Sequence, residues 1–391
     1  MTEAIRPIVI LFATTVIETS DRFLEATARK AATRGFKVDL ITSAPKADEC
    51  ERPYRNVITT TWGRGFDSLF GTAKSLIQVR RLMKSGQYAL VHTHTPTASA
   101  VVRLAKSTLP KRVRPIVIYT AHGFHFGEGL DGASNQVAEV VERYLLKWTD
   151  VLMVINDQDE LWARRNAKSG TRVVRSRGVG IKEHFFDVQL TAESRKATRA
   201  RMRIPDESFV ALCVGELNAN KRQTLAMDAV AKLKGERMLL ILGKGHCLEP
   251  LKKRAKHLME RHLGLTIRFE GHQTDIVPYF TASDCLIHTS RREGLPIVII
   301  EAMAVGLPVV AFPIRGCVDS LKDGRGFLIR GDDADAASIQ LATVAMRSAS
   351  TSHVVQSARV YARSFKRGRV AEQTVHVYES LIASHRPGYE L

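Results

Sequence analysis

The sequence has few cysteines and no long uninterrupted apolar segment. Its 391 residues include five cysteines, with no CxxC pair and no spacing typical of metal ligands. This excludes a disulfide-built scaffold, and free thiols are typical of a reducing cytosol. The longest apolar run, residues 295–312, contains a glutamate, a glycine and two prolines, so it is a poor membrane span. We therefore predict a cytoplasmic protein.

Acidic residues are scarce relative to basic ones. Lys and Arg number 58 against 40 Asp and Glu, which gives a net charge of +18. The excess is +10 over residues 1–180 and +8 over the remainder, so it is not a basic tail. A field of this sign favours anionic partners such as nucleic acid, anionic lipid or phosphorylated small molecules. No RNA-binding or helix-turn-helix signature accompanies the charge, so we expect no nucleic-acid partner.

Short apolar runs alternate with segments of helix length along the whole chain, and this alternation predicts parallel sheets with helices on both faces. Two series of about six strands exceed one normal sheet. We therefore predict an α/β protein of two doubly wound, Rossmann-like domains, residues 1–180 and 181–364, facing across a cleft. Residues 365–391 have the apolar spacing of a final helix. The predicted strands are residues 8–12, 38–41, 89–92, 116–119, 151–155 and 173–174, then 209–214, 238–242, 266–269, 285–288, 309–312 and 327–329.

Two glutamates, Glu293 and Glu301, are separated by seven residues and a Gly-Leu-Pro turn. We predict Pro296 at the first helical position, where its missing N–H costs nothing. The peptide N–H groups of Gly294 and Leu295 then lie at a helix N-terminus, which suits a phosphate. Glu301 lies roughly 7–8 Å further along the helix axis. The two carboxylates can thus contact groups on either side of a bound diphosphate.

At these residues the chain resembles the large retaining glycosyltransferase family with the GT-B fold, often called family 4, whose signature is Glu-x7-Glu. The resemblance implies that Glu293 approaches the donor sugar and that Glu301 holds the ribose hydroxyls. It also implies that the final helix crosses back onto the first domain. The loop that contacts the donor base would contain Gly271, His272 and Asp275.

A second group of residues follows the predicted strand 209–214. A glycine turn at Gly215 followed by Lys221 can bring backbone and ammonium to a phosphate, although a solvated lysine opening a helix has the same pattern. The resemblance implies that Lys221 binds the donor diphosphate, assisted by Arg222, and that Gly243 lines the nucleotide pocket. Many family members have arginine at the position of Glu216. The glutamate of this chain resembles the variant found in capsular and exopolysaccharide transferases.

Histidines follow two successive predicted strands. His92 and His94 follow the third, and His122 and His125 follow the fourth. An isolated histidine beside a strand is more often structural, and no carboxylate or cysteine cluster accompanies these, so we expect no metal and no cofactor. The resemblance implies that His122 contacts the donor sugar near the reaction centre, with His94 and His125 on the acceptor side.

Asp157 and Asp159 form an Asp-x-Asp sequence, which in another glycosyltransferase fold binds a metal. Here it follows a predicted strand and opens a predicted helix. Helix capping by acids that favour the positive end of the helix dipole explains it better.

The resemblance predicts a retaining glycosyltransferase with a nucleotide diphosphate donor, favouring a UDP-sugar. The acceptor would be a polyprenyl-diphosphate-linked glycan of surface polysaccharide biosynthesis. The basic, amphipathic segment 68–84 suits either docking to an anionic membrane or packing in the core. The alternatives are a sugar-nucleotide 2-epimerase of the same fold and a non-catalytic sugar- or nucleic-acid-binding protein.

Overall fold

The computed structural model describes residues 7–43, 53–62, 69–126, 133–346 and 351–385. The chain forms two units. One comprises Met1–Gly180 together with Arg367–Leu391, and the other comprises Ile181–Lys366.

Each unit is built on one parallel sheet. The first sheet has seven strands: β1 Val9–Ala13, β2 Lys37–Ser43, β3 Asn56–Thr60, β4 Tyr88–Thr93, β5 Ile116–Ala121, β6 Val151–Val154 and β7 Arg172–Arg175. The second has six: β8 Phe209–Val214, β9 Arg237–Leu242, β10 Leu265–Gly271, β11 Cys285–His288, β12 Val309–Ala311 and β13 Phe327–Leu328.

The strand orders are β3-β2-β1-β4-β5-β6-β7 and β10-β9-β8-β11-β12-β13. In each sheet the order reverses once, between β1 and β4 and between β8 and β11. Such a reversal is where open α/β sheets bind ligands, beyond the carboxyl ends of the strands.

Helices cover both faces of each sheet. Those of the first unit are α1 Ile17–Phe23, α2 Glu25–Thr33, α3 Leu69–Lys84, α4 Pro96–Ser107, α5 Ala133–Leu145 and α6 Asp157–Asn166, together with α15 Arg367–His385 at the end of the chain. Those of the second unit are α7 Ala192–Met202, α8 Gln223–Ala231, α9 Leu248–Arg261, α10 Val277–Ala282, α11 Ile297–Val305, α12 Cys317–Leu321, α13 Ala334–Met346 and α14 Thr351–Ala362.

The strands predicted from the sequence are all present, and the structure adds the edge strand β3. Only one strand pairs with β3, and Val57 within it is 37% exposed. The segment predicted as one helix over residues 21–34 is two helices, α1 and α2, which meet at the buried Leu24.

The apolar stripe of α3 faces the core. Val79 and Met83 are fully buried against β-strand and α4 residues of the first unit. Buried residues of the stripe are therefore used in packing, as the core alternative predicts, and membrane contact through this helix stays a prediction. Ser68, which begins the predicted segment, lies outside the described residues. Within the described ranges, no helix is both long and apolar enough to cross a bilayer.

Candidate active site

The loop after β8 carries Lys221 across the end of the second sheet. Asn218 fixes the turn, because its side-chain carbonyl accepts a hydrogen bond from the backbone N–H of Lys221 at 3.1 Å. The aliphatic part of Lys221 lies against Gly215, whose φ is +157°, and a Cβ at Gly215 would come within 3.2 Å of the lysine Cε. Gly215 thus leaves the space through which the lysine reaches the sheet edge.

The ammonium of Lys221 contacts the carboxylate of Glu293, which stands on the loop after β11. Burial by itself would raise the pKa of Glu293, but the nearby His288 and Lys221 together lower it to about 2. Glu293 is therefore ionised at any physiological pH. The two loops at the reversal of strand order consequently present one cation and one anion side by side.

His288, the last residue of β11, lies beneath this pair. Its side chain is 3% exposed, and its Nε2 is 3.6 Å from Oε1 of Glu293, longer than a hydrogen bond. Burial lowers the pKa of His288; Glu293 acts in the opposite direction, and Lys221 adds to the effect of burial. The imidazole is therefore neutral near pH 7.

The Gly294-Leu295-Pro296 turn precedes α11. Pro296 occupies the N-cap and the helix begins at Ile297, so the prediction that Pro296 is the first helical residue is wrong by one position. Its backbone is extended, with ψ at 105°, whereas the first helical position requires a helical ψ. Gly316 approaches from the loop before α12, where a Cβ would come within 2.4 Å of the Gly294 carbonyl oxygen. Glu301 is the fifth residue of α11 and is partly exposed.

Arg222 joins the same two loops through the backbone. Its Nε donates to the Thr289 carbonyl at 2.7 Å, and its guanidinium lies 4.5 Å from the centre of the Phe312 ring. It has a left-handed backbone, with φ at +49°. This side chain therefore stabilises the loop that carries Lys221, and its assistance to a diphosphate stays a prediction.

Glycines allow the loops after β8, β9 and β10 to approach one another closely. Gly243 donates its N–H to the Gly271 carbonyl at 2.7 Å. A Cβ at Gly243 would come within 1.9 Å of the Gly215 carbonyl oxygen, and φ there is +142°. Only glycine fits this position, and the glycine therefore sets how close the first loop lies to the second.

The predicted base-contacting loop begins at the end of β10. Gly271 has φ at +70°, and His272 and Asp275 are exposed. The Asp275 carboxylate accepts a hydrogen bond at 3.0 Å from the backbone N–H of Val277, the first residue of α10. The assignment of this loop to base recognition stays a prediction.

In the first unit, His94 and His122 come together beyond the ends of β4 and β5. Their Nδ1 and Nε2 atoms are 3.3 Å apart, and His94 Nε2 has no hydrogen-bond partner among the residues described. Burial lowers the pKa of His122 to about 4 and that of His94 well below its usual value. Both rings are therefore neutral at pH 7, a form that suits hydrogen bonding to a sugar hydroxyl. His125 is exposed.

Three residues of these sites, Tyr378, Asp159 and His288, have contacts that were not predicted from the sequence. His92 Nδ1 lies 2.6 Å from the Tyr378 hydroxyl on α15, and the His92 ring centre is 4.1 Å from that of His94. Asp159 lies in the first turn of α6, and its buried carboxylate also accepts a hydrogen bond from the Phe124 backbone N–H at 3.1 Å. It therefore holds the loop that carries His122. His288 is the third.

Helix capping at α6 is provided by Asn156, whose side chain accepts a hydrogen bond from the backbone N–H of Asp159 at 2.8 Å. Asp157 and Asp159 lie in the first turn, as predicted from the sequence. In the part of the chain that the structure describes, no three His, Cys, Asp or Glu side chains are grouped so as to hold a metal ion.

Comparison with known sequence families matches both units. The family described as Glycosyl transferase 4-like domain matches residues 20–176, and the family described as Glycosyl transferases group 1 matches residues 194–359. EpsD of Bacillus subtilis (strain 168), which carries a provisional glycosyltransferase name, is 29% identical over 308 residues. That match covers 78% of this chain and 79% of EpsD.

A second relative has a fully specified name. The UDP-Gal:alpha-D-GlcNAc-diphosphoundecaprenol alpha-1,3-galactosyltransferase of Escherichia coli is 27% identical over 311 residues, covering 77% of this chain and 78% of that enzyme.

Solved structures share the fold. Sucrose-phosphate synthase from Thermosynechococcus elongatus has a TM-score of 0.77 at 20% identity, covering 96% of this chain and 100% of that one. Anabaena HepE in complex with UDP and glucose has a TM-score of 0.75 at 18% identity, covering 95% and 100%. The resemblance drawn from the Glu-x7-Glu motif is confirmed. The chain therefore belongs to the glycosyltransferases of the GT-B fold, with a glycosyl transferase 4-like domain followed by a group 1 domain.

Proposed function

We propose that the protein transfers a sugar, with retention at the anomeric carbon, from a uridine diphosphate donor to a polyprenyl-diphosphate-linked glycan in surface polysaccharide biosynthesis. The Escherichia coli relative is named for a UDP-galactose donor and a diphosphoundecaprenol-linked acceptor. HepE, which has the same fold, is described with UDP and glucose. EpsD is also named as a glycosyltransferase.

The observation that carries the proposal is the pairing of Lys221 with Glu293 at the reversal of strand order in the second sheet. A departing nucleotide diphosphate gains negative charge as the sugar leaves. In the proposal, Lys221 and the peptide N–H groups of Gly294 and Leu295 stabilise that charge, as fixed charges and dipoles do in a water-poor site. These groups supply the stabilisation without a metal ion or a cofactor.

Glu293 has a different task in this proposal. A double displacement would need a carboxylate that attacks the anomeric carbon. We assign Glu293 to the hydroxyls of the donor sugar and Glu301 to those of the ribose. The acceptor hydroxyl then attacks from the face that the diphosphate leaves, and a phosphate oxygen of the departing group takes its proton. Trapping a covalent glycosyl-Glu293 species would overturn this route.

The histidines of the first unit are assigned to sugar contacts. His122 is neutral at pH 7 because burial lowers its pKa to about 4, so it can donate or accept a hydrogen bond without attracting phosphate. We assign it to the donor sugar, with His94 and His125 on the acceptor side. The loop of Gly271, His272 and Asp275 is assigned to the donor base, and Gly243 to the nucleotide pocket.

Contact with an anionic membrane is assigned to the outer face of α5. Val137, Val140, Val141 and Tyr144 lie at helical spacing on this face and are 58%, 66%, 45% and 52% exposed. The ammonium of Lys147 lies 5.1 Å from the centre of the Tyr144 ring. An exposed apolar stripe on one helix face can lie in the interface of a bilayer, and Lys147 supplies a cation beside it.

The test is transfer from a panel of UDP-, GDP- and ADP-sugars to undecaprenyl-diphosphate-linked GlcNAc, with the anomeric configuration of the product determined by NMR. We expect one UDP-sugar to react with retention. Lys221→Ala and Glu293→Gln should each lower the rate by at least about 100-fold, whereas Lys252→Ala, on the exposed face of α9, should leave it unchanged. An inverted product would contradict the proposal. A donor epimer formed without acceptor would indicate the epimerase instead.

A further inference from the structure

We propose that His288 is a positioning residue for Glu293, and that it replaces Lys221 as the partner of this carboxylate when the lysine ammonium moves to a bound diphosphate. This inference rests on the proposed function, since it takes the ligand of Lys221 to be a nucleotide diphosphate. It adds to that function a residue that neither the motif nor the resemblance singles out.

Two groups, the Lys221 ammonium and the His288 imidazole, compete for the carboxylate of Glu293. Lys221 and His288 approach the same carboxylate oxygen, Oε1, from the β8 loop and from the end of β11 respectively. Lys221 can move, because its side chain is 22% exposed and only its stem is confined, by Gly215. His288 cannot move far, because it is 3% exposed at the end of a strand paired on both sides. A mobile and a fixed partner therefore share one anion.

The Nε2 atom of His288 is the group on which this exchange of partners depends. It is buried without a hydrogen-bond partner among the described residues. A buried polar atom without a partner is costly, and the Glu293 carboxylate lies 3.6 Å from Nε2. A shift of a few tenths of an ångström would complete this hydrogen bond once Lys221 no longer occupies the oxygen.

Electrostatics require such a replacement. Glu293 carries a negative charge, and a diphosphate bound at Lys221 brings further negative charge beside it. If the ammonium turns to the phosphates, Glu293 is left partly buried without its cation, which is strongly unfavourable. A proton taken from solvent by His288 restores the balance. The charged groups acting on His288 are Glu293 and Lys221. Cys317, at the start of α12, stays a neutral thiol because burial raises its pKa well above the usual value.

The consequence for the reaction is that Glu293 keeps one orientation through donor binding. The Lys221 ammonium can move with the phosphates of the donor. The Glu293 carboxylate must keep the position in which it contacts the hydroxyls of the donor sugar. A displacement of about 1 Å at such a group can cost about 100-fold in rate. His288 would supply the fixed contact that prevents this displacement.

The first experiment needs no nucleotide. Protein labelled with carbon-13 at the histidine Cε1 is titrated by NMR, and the His288 signal is assigned by its loss in His288→Gln. We expect its titration midpoint to rise in Lys221→Met, which imitates departure of the ammonium, and this rise to disappear in the Lys221→Met, Glu293→Gln double variant. Lys252→Met is the matched control. Lys221→Gln repeats the test if the methionine variant melts early. An unchanged midpoint in both Lys221 variants would overturn the inference.

The second experiment uses UDP as the probe. Binding of UDP to the wild type should raise the His288 midpoint in the same direction as Lys221→Met. Bound UDP with an unmoved midpoint would contradict the role of His288. Absence of UDP binding would instead contradict the proposed uridine donor, and the lysine variants would still decide the inference.

The third experiment separates positioning from a structural role. His288→Leu should lower kcat by about 10- to 100-fold with a smaller change in KM for the donor. His288→Gln keeps a side-chain N–H near the position of Nε2 but cannot take up a proton, so it should recover only part of that loss. Equal losses in the two variants at equal melting temperatures would argue against positioning by this hydrogen bond.

Discussion

Replacing Gly243 by alanine should loosen the donor site by moving the loop after β8. The added Cβ would lie 1.9 Å from the Gly215 carbonyl oxygen, whereas real Cβ atoms essentially never come closer than 3.0 Å. The carbonyl must therefore retreat by about 1.1 Å, the difference between these two distances. Because Gly215 is packed against the stem of Lys221, the lysine should move with it.

The cost has two parts. Alanine at φ +142° is strained by about 1–3 kcal/mol, and the forced displacement adds about 1–3 kcal/mol. Gly235→Ala is the matched control in the same unit, because its φ is +76° and nothing lies within 4 Å of an added Cβ. It should lose only about 1–2 kcal/mol, from the backbone conformation alone.

Urea unfolding followed by circular dichroism should show the larger loss of stability for Gly243→Ala. Calorimetry should show UDP binding weakened about 10- to 100-fold in this variant and little changed in Gly235→Ala. All three tryptophans lie in the first unit, so their fluorescence should be unaffected when the variants fold. Equal stability and equal UDP affinity in the two variants would refute the reasoning, because the overlap would then cost nothing.

Three further predictions concern the first unit. Burial lowers the pKa of His92 to about 3. The free energy of unfolding that neutral His92 contributes is therefore complete above about pH 6.5 and falls by roughly 1.4 kcal/mol for each pH unit below 6.5. Urea unfolding should show a weaker pH dependence in His92→Gln. Asp159→Ala should lower the free energy of unfolding by about 1–3 kcal/mol and reduce transfer, because a buried N–H on the His-bearing loop loses its acceptor; unchanged stability would contradict this. Val137→Ser with Val140→Ser should weaken flotation with phosphatidylglycerol vesicles, whereas Ile339→Ser, 64% exposed on α13, should not.

The fold could be predicted from the sequence because strands buried on both faces are continuous apolar runs. The exception, β3, is an edge strand whose residues are mostly polar or exposed, so it has no such run. The break between α1 and α2 was also missed, since Leu24 continues the apolar pattern across it. Periodicity shows which residues are buried but not where a helix changes direction.

The candidate site was predictable where loops follow strands, because parallel topology brings the carboxyl ends of strands to one edge. Lys221 and Glu293 therefore meet although 72 residues separate them. His288 was missed because a histidine ending a buried strand looks like a core residue. Tyr378 was missed because its contact with His92 spans 286 residues, and no local pattern reports such a contact.

The first unit is discontinuous in the chain, and this has a consequence for how the protein is made. Its core includes Val375, Tyr378 and Ile382 of α15, all at most 1% exposed. Burying each such side chain contributes about 1.5–3 kcal/mol. The ribosome synthesises α15 only after the entire second unit. The second unit therefore has all of its core residues synthesised before the first unit does. The earlier unit must wait with an apolar surface uncovered, and during that interval it is the part of the nascent chain most in need of a chaperone.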